Sequence, residues 1–126
     1  MSVQPSSPVK TYFDFIKNLI SSNPFVQQSA VIRERVGSLE GFIQITACLI
    51  KGKTLDVFEY YTMADGVTKY RYNLMDDQKD VLARWDNAPH HPEISTHPHH
   101  LHLPEKIVES KKPSLSYVLI KLSDFI

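Results

Sequence analysis

Histidine occurs in only one part of this chain. All six residues of that type, His90, His91, His97, His99, His100 and His102, fall within thirteen positions, inside the stretch Arg84-Trp-Asp-Asn-Ala-Pro-His-His-Pro-Glu-Ile-Ser-Thr-His-Pro-His-His-Leu-His-Leu103. Imidazole titrates near neutrality, so such a cluster can move protons, ligate a metal or contact phosphate. Pro89, Pro92 and Pro98 interrupt it and bias the residues before them towards extended or turn geometry. The stretch is neither contiguous nor terminal, which separates it from a purification tag.

Spacing narrows the chemistry. If the chain is extended from Pro98 to Leu103, His100 and His102 project from one face, and His90 or His91 can reach the same place across the loop. Two functions are then open: a proton-transfer pair, or a three-ligand metal site built from His91, His100 and His102. Neither CxxC nor HExxH occurs, so no strong zinc signature is present. Adjacent pairs such as His90-His91 and His99-His100 cannot all face one site. Arg84 and Asp86, two apart, point to one side and Trp85 to the other, where it serves as a core or sheet-face aromatic. Asp86 is placed to orient a histidine ring. Arg84 can hold a phosphate in its planar fork or form a cross-strand ion pair with a residue such as Glu59. Asp86-Asn87-Ala-Pro89 reads as a turn.

The elements that hold this segment follow from periodicity. Pro8 opens a helix in which Tyr12, Phe13, Phe15, Ile16, Leu19 and Ile20 recur at three- and four-residue spacing, ending at Ser-Ser-Asn-Pro24. From Phe25 to Val36 the period becomes two, as in a strand with one buried face. Ile43 to Leu49, Leu55 to Met63, Thr68 to Met75 and Val81 to Asp86 supply four more strands. Gly37-Ser38, Lys51-Gly52-Lys53, Asp65-Gly66 and the polar run Asp76 to Asp80 join them. Pro113-Ser114 starts a second helix with Leu115, Val118, Leu119, Leu122 and Phe125 on one face. The predicted architecture is α+β, an antiparallel five-stranded meander with an N-terminal and a C-terminal helix (α-β-β-β-β-β-α). The two helices cover one sheet face and leave the other partly open for function.

With 126 residues the chain is expected to form a flexible lead over 1–8 and a single domain over 9–126, with the His-rich segment at 84–103. Fourteen basic residues balance fourteen acidic ones, evenly along the chain, which argues against binding nucleic acid through bulk charge but leaves a local basic groove open. The single cysteine, Cys48, excludes an intramolecular disulfide, suits a reducing cytoplasm, and is expected to be a small core residue. No apolar run is long enough to cross a bilayer and no leader pattern opens the chain, so a cytoplasmic protein that does not engage membranes is expected. The edge strand at Phe25 to Val36 is a candidate for pairing across a two-fold axis in a homodimer.

Tyr70-Arg-Tyr72, Arg84-Trp-Asp-Asn-Ala-Pro-His-His-Pro-Glu93 and Thr96-His-Pro-His-His-Leu-His102 together resemble the TumE-like toxin family of prokaryotic toxin–antitoxin modules, over roughly Leu39 to Leu122. The resemblance implies a small cytoplasmic toxin neutralised by a DNA-binding antitoxin encoded beside it. By position it carries over Glu59, Tyr72, Arg84, Asp86, Asn87, His91, His99, His100 and His102, with Glu59 matched only loosely.

Joined to the residue chemistry, this favours a toxin that attacks RNA. Metal-free cleavage needs a base for the 2′-hydroxyl, an acid for the leaving oxygen and a cation for the phosphorane. His91 and His100 are expected to transfer the protons, with His102, Arg84 and Asp86 completing the catalytic set. Tyr72, Asn87 and His99 are expected to contact substrate. A partly exposed His100 should be removable at little cost in stability. No cofactor is expected in this reading. The alternatives are a hydrolase with Zn²⁺ or Mn²⁺ on His91, His100 and His102, and a protein-binding module without chemistry.

Overall fold

A computed structural model describes residues 7–126. Ser7 caps the first helix, α1 (Pro8–Ser21), by accepting a hydrogen bond from the Lys10 amide, and Pro8 occupies the first turn, where its missing N–H costs nothing. Pro8, expected in the flexible lead, thus belongs to the helix, and residues 1–6 of that lead lie outside the described residues. Val9, Phe13, Ile16 and Ile20 form the buried face of α1.

Seven strands follow: β1 (Val26–Val36), β2 (Glu40–Leu49), β3 (Thr54–Thr62), β4 (Gly66–Met75), β5 (Val81–Asp86), β6 (His100–Leu103) and β7 (Lys106–Glu109). They pair antiparallel in chain order, so the sheet is a continuous meander. The helix α2 (Leu115–Lys121), capped by the Ser114 side chain and extended by a short 3₁₀ turn at Leu122–Asp124, closes the chain.

The α+β class, the meander and the two terminal helices are as the sequence predicts, whereas the count of five strands is corrected to seven. The two missed strands are only four residues each and lie beyond the prolines. Their period is nevertheless legible: His100-Leu-His-Leu103 alternates polar and apolar side chains.

Alternation sorts the sheet into two faces. Ile43, Ile45, Ala47, Leu49, Leu55, Val57, Tyr72, Leu74, Ala83 and Trp85 point inward to one buried core with α1, Leu115, Val118 and Leu122. Each fully buried aliphatic side chain there contributes about 1.5–3 kcal/mol. Both helices cover this inner face, and the other face stays open, as expected.

Two local expectations are corrected. β1 is exposed along nearly its whole length, with Ile32 54% exposed, although α1 runs beside it and Lys17 pairs with Glu34 at 2.8 Å. Cys48 alternates with the buried Ala47 and Leu49 and is half-buried on the outer side.

Candidate active site

Strand register assembles the site. β5 and β6 align Arg84 with His102 and Asp86 with His100, so these four side chains share the outer face while Trp85 and Leu101 pair between them on the inner face. His91 arrives from the loop between the two strands. Its ring centroid is 5.1 Å from that of His100 and 5.6 Å from that of His102, and His100 and His102 are 4.6 Å apart. One nitrogen from each of the three rings lies within 4.8 Å of the others. His90 and His97 are exposed in the loop and belong to no such group.

Asp86 anchors the group. It is 6% exposed, and its carboxylate accepts hydrogen bonds from Arg84 Nε at 3.1 Å and the Ala88 amide at 3.1 Å; His100 Nε2 approaches it to 2.9 Å and His102 Nε2 lies 3.4 Å away. His100 is 1% exposed, and its other nitrogen, Nδ1, lies 2.9 Å from the carbonyl oxygen of Pro98. Both ring nitrogens of His100 therefore face oxygens.

His102 differs. Arg84 Nη2 lies 3.2 Å from its Nε2, and because a guanidinium can only donate, that nitrogen must accept. Burial first, then the Arg84 charge, holds the His102 pKa below the usual histidine value against the opposing pull of Asp86. The neutral ring, with its hydrogen on Nδ1, is the form that fits. His91 Nδ1 lies 3.2 Å from Glu93 Oε1, so Glu93 can accept its hydrogen and leave Nε2 free.

Accessibility separates the roles. The side chains of Arg84, His91 and His102 are 33%, 27% and 17% exposed, whereas that of His100 is 2% exposed. The expectation of a partly exposed His100 is therefore corrected: the Asp86 carboxylate and the Pro98 carbonyl draw the ring inside. Arg84 makes its ion pair with Asp86 on its own strand, because Glu59 lies on the opposite face.

The remaining predicted residues are drawn elsewhere. Tyr72 points into the core at 1% exposure and donates its hydroxyl to Glu59 Oε2 at 2.5 Å. Glu59 is fully buried and also accepts from the Tyr12 hydroxyl at 2.6 Å. Burial raises the pKa of Glu59 above the ordinary carboxylate value, although both tyrosine hydrogen bonds oppose this. Burial, reinforced by the Glu59 charge, also raises the Tyr12 and Tyr72 pKa values well above the ordinary phenol value.

His99, next to His100, must face the other way. Its Nδ1 lies 2.9 Å from the Tyr70 hydroxyl, with the two rings stacked at 5.8 Å, and burial lowers its pKa. Asn87 spends its amide on β4, accepting from the Tyr70 amide and donating to the Thr68 carbonyl. The structure thus brings Arg84, Asp86, His91, His100 and His102 together, and places Tyr72, His99, Asn87 and Glu59 outside that cluster.

Sequence reading missed Tyr12 as the second partner of Glu59 and missed Phe58, Lys69 and Arg71. The last three line a groove of about 470 Å³ with Arg84, Asp86 and the predicted Asn87, which thus borders the site although it lies outside the histidine cluster. Alternation along β3 and β4 carried that signal: Phe58, Lys69 and Arg71 alternate with residues of the apolar core.

Such a site can abstract and deliver protons around a phosphate held by Arg84. Among the described residues no helix is long and apolar enough to cross a membrane. No curated protein and no solved structure matches the chain. A protein-family model described as toxin TumE matches residues 16–126, nearly the whole domain with both His blocks, and the chain therefore belongs to the TumE toxin family.

Proposed function

We propose that this protein is the toxin of a toxin–antitoxin module, acts on RNA in the cytoplasm by metal-free acid–base catalysis, and is neutralised by a DNA-binding antitoxin. The observation that carries the chemistry is the division of labour around Asp86: a buried ring that faces two acceptors, His100, beside a neutral, acceptor ring, His102, which Arg84 touches.

In this mechanism an arriving phosphate draws the Arg84 guanidinium from His102 Nε2. The freed nitrogen takes the proton of the 2′-hydroxyl as the 2′-oxygen bonds to phosphorus. His91, entering the step as the imidazolium with its Nδ1 hydrogen on Glu93, gives its Nε2 proton to the departing 5′-oxygen as the P–O5′ bond breaks, leaving a 2′,3′-cyclic phosphate and a neutral ring. Arg84 neutralises the charge that develops on the phosphorane. His100, expected from the sequence to exchange protons with substrate, is instead a positioning residue with Asp86.

Induced expression without antitoxin tests this. Wild type is expected to arrest growth and leave RNA with cyclic-phosphate ends, and His102→Ala and His91→Ala are expected to do neither. Both variants remaining fully toxic would overturn the proton-transfer assignment.

A second reading is favoured by one observation, the approach of three imidazole nitrogens to within 4.8 Å beside a carboxylate. Three histidines with an open position suit Zn²⁺, and the adjacent Asp86 also suits Mn²⁺. The fit is incomplete while Arg84 occupies His102 Nε2, since a second cation there repels a metal. Purified protein that contains stoichiometric metal and loses it together with activity in chelator would favour this reading over the first.

A further inference from the structure

The open sheet face carries a second feature that leads into the cluster. Strand register places Arg33, Gln44, Phe58, Arg71, Asp86 and His100 in one row across β1 to β6. At about 4.8 Å between strands the row spans roughly 24 Å. The neighbouring row contains Arg35, Phe42, Tyr60 and Lys69.

Aromatic and cationic groups interleave here. The Phe42 and Phe58 rings stack at 6.4 Å with 29° between their planes, and the Arg33 guanidinium lies 5.4 Å from the Phe42 centroid. Five cations, Arg33, Arg35, Lys69, Arg71 and Arg84, stand against Glu40, Asp56 and Asp86 on β1 to β5. Those carboxylates are engaged: Glu40 is 3.7 Å from Arg35, Asp56 accepts from the Thr46 hydroxyl and Asp86 holds the cluster. Among the described residues, neither Lys69 nor Arg71 forms an ion pair. Free positive charge is thus concentrated beside the half-buried Phe58, at the mouth of the groove that reaches Arg84.

We propose that this face is a binding track for single-stranded RNA, which lays bases on Phe58 and Phe42 and phosphates on Arg71, Lys69 and Arg33, and so delivers one phosphate to Arg84. The proposal rests on the RNA-cleaving reading above and names the form of RNA that it takes. A duplex cannot use the track, because paired bases cannot reach flat aromatic side chains on a sheet. The length suits about four nucleotides, the lower end of the site sizes of single-strand binding folds.

Binding is measured by fluorescence anisotropy with a labelled eight-nucleotide 2′-O-methyl oligouridine, which lacks the attacking hydroxyl. Cleavage is measured separately with the dinucleotide UpA, which needs only the cluster. Phe58→Ala is expected to weaken oligonucleotide binding about tenfold or more. Arg71→Gln is expected to weaken it and to lower the salt slope by about 0.7, and Lys121→Gln on α2 should change nothing. UpA cleavage should be unaffected by Lys121→Gln.

Binding by Phe58→Ala and Arg71→Gln within twofold of wild type, or equally tight binding of duplex RNA, would overturn the track even if UpA is cleaved. Phe58-dependent binding in a protein that cleaves no RNA would support the track and overturn the catalytic reading. Arg71 is exposed, so its variant remains informative if Phe58→Ala folds poorly.

Discussion

Asp86→Asn is the most direct test of how the site is held. The substitution keeps the shape and removes the charge. The Ala88 amide can still find the side-chain oxygen, but the hydrogen bond from Arg84 and the close contact with His100 Nε2 lose their carboxylate, and the Asn amino group meets the Arg84 Nε–H donor. Asp86 and His100 are 6% and 1% exposed, so water cannot replace what is lost. Breaking a buried charged pair by changing one partner costs about 3–5 kcal/mol. The retained Ala88 contact puts this case near 3 kcal/mol. For a domain of this size that corresponds to a fall of about 12 °C in Tm. Urea and thermal unfolding at pH 7 give both quantities, with the exposed Glu93→Gln as a control expected to show no measurable change. A second arm combines Asp86→Asn with His100→Gln: the two should be non-additive by about 1 kcal/mol or more, since the residues touch. A loss below about 1 kcal/mol for Asp86→Asn, with strict additivity, would refute the reading of Asp86 as the anchor.

Three further outcomes are expected. Glu59 has a raised pKa in the folded protein, so wild type loses stability as pH rises from about 4.5 through the raised value; Glu59→Gln, which cannot ionise, should therefore gain on wild type between pH 4 and pH 7 in urea unfolding, and a relative loss would mean that the two tyrosine hydrogen bonds outweigh burial. His102 is held below the ordinary histidine pKa of about 6.5, so the acid limb of the proposed RNA cleavage should fall below that pH; removing the Arg84 charge in Arg84→Gln should move the limb of the residual activity upward, but only in part, because burial is the larger cause, and a limb that stays in place would separate Arg84 from His102. Gly41→Ala should destabilise by about 1–3 kcal/mol in the same unfolding assay, since its Cβ would sit 2.2 Å from the Arg35 carbonyl oxygen and 3.0 Å from Val9 where α1 meets β2; unchanged stability would show that this contact relaxes freely.

Much of this molecule is legible in its sequence, because hydrophobic period is a local property. The 3.6-residue period of α1, the two-residue period of β2 to β5 and the start signals at Pro8 and Pro113-Ser114 each act within a few residues of one another, and the strand β5 emerged with its predicted bounds. Confinement of histidine to thirteen positions marked the candidate site for the same reason. The i,i+2 spacing of Arg84 with Asp86 and of His100 with His102 correctly placed each pair on one face. Which residues share the centre was decided by contacts far apart in sequence. Register between β5 and β6 set His100 against Asp86, turned its neighbour His99 towards Tyr70, and closed the loop so that His91 joins the group. Tyr72 was drawn into the core by a buried carboxylate thirteen residues away, with Tyr12 arriving from the first helix. Residue type and spacing determined which chemistry this chain can carry and on which face of each strand. Burial and pairing, which exist only once the sheet has closed under its two helices, decided which histidines meet solvent, which are held by Asp86, and which charges are left free on the open face.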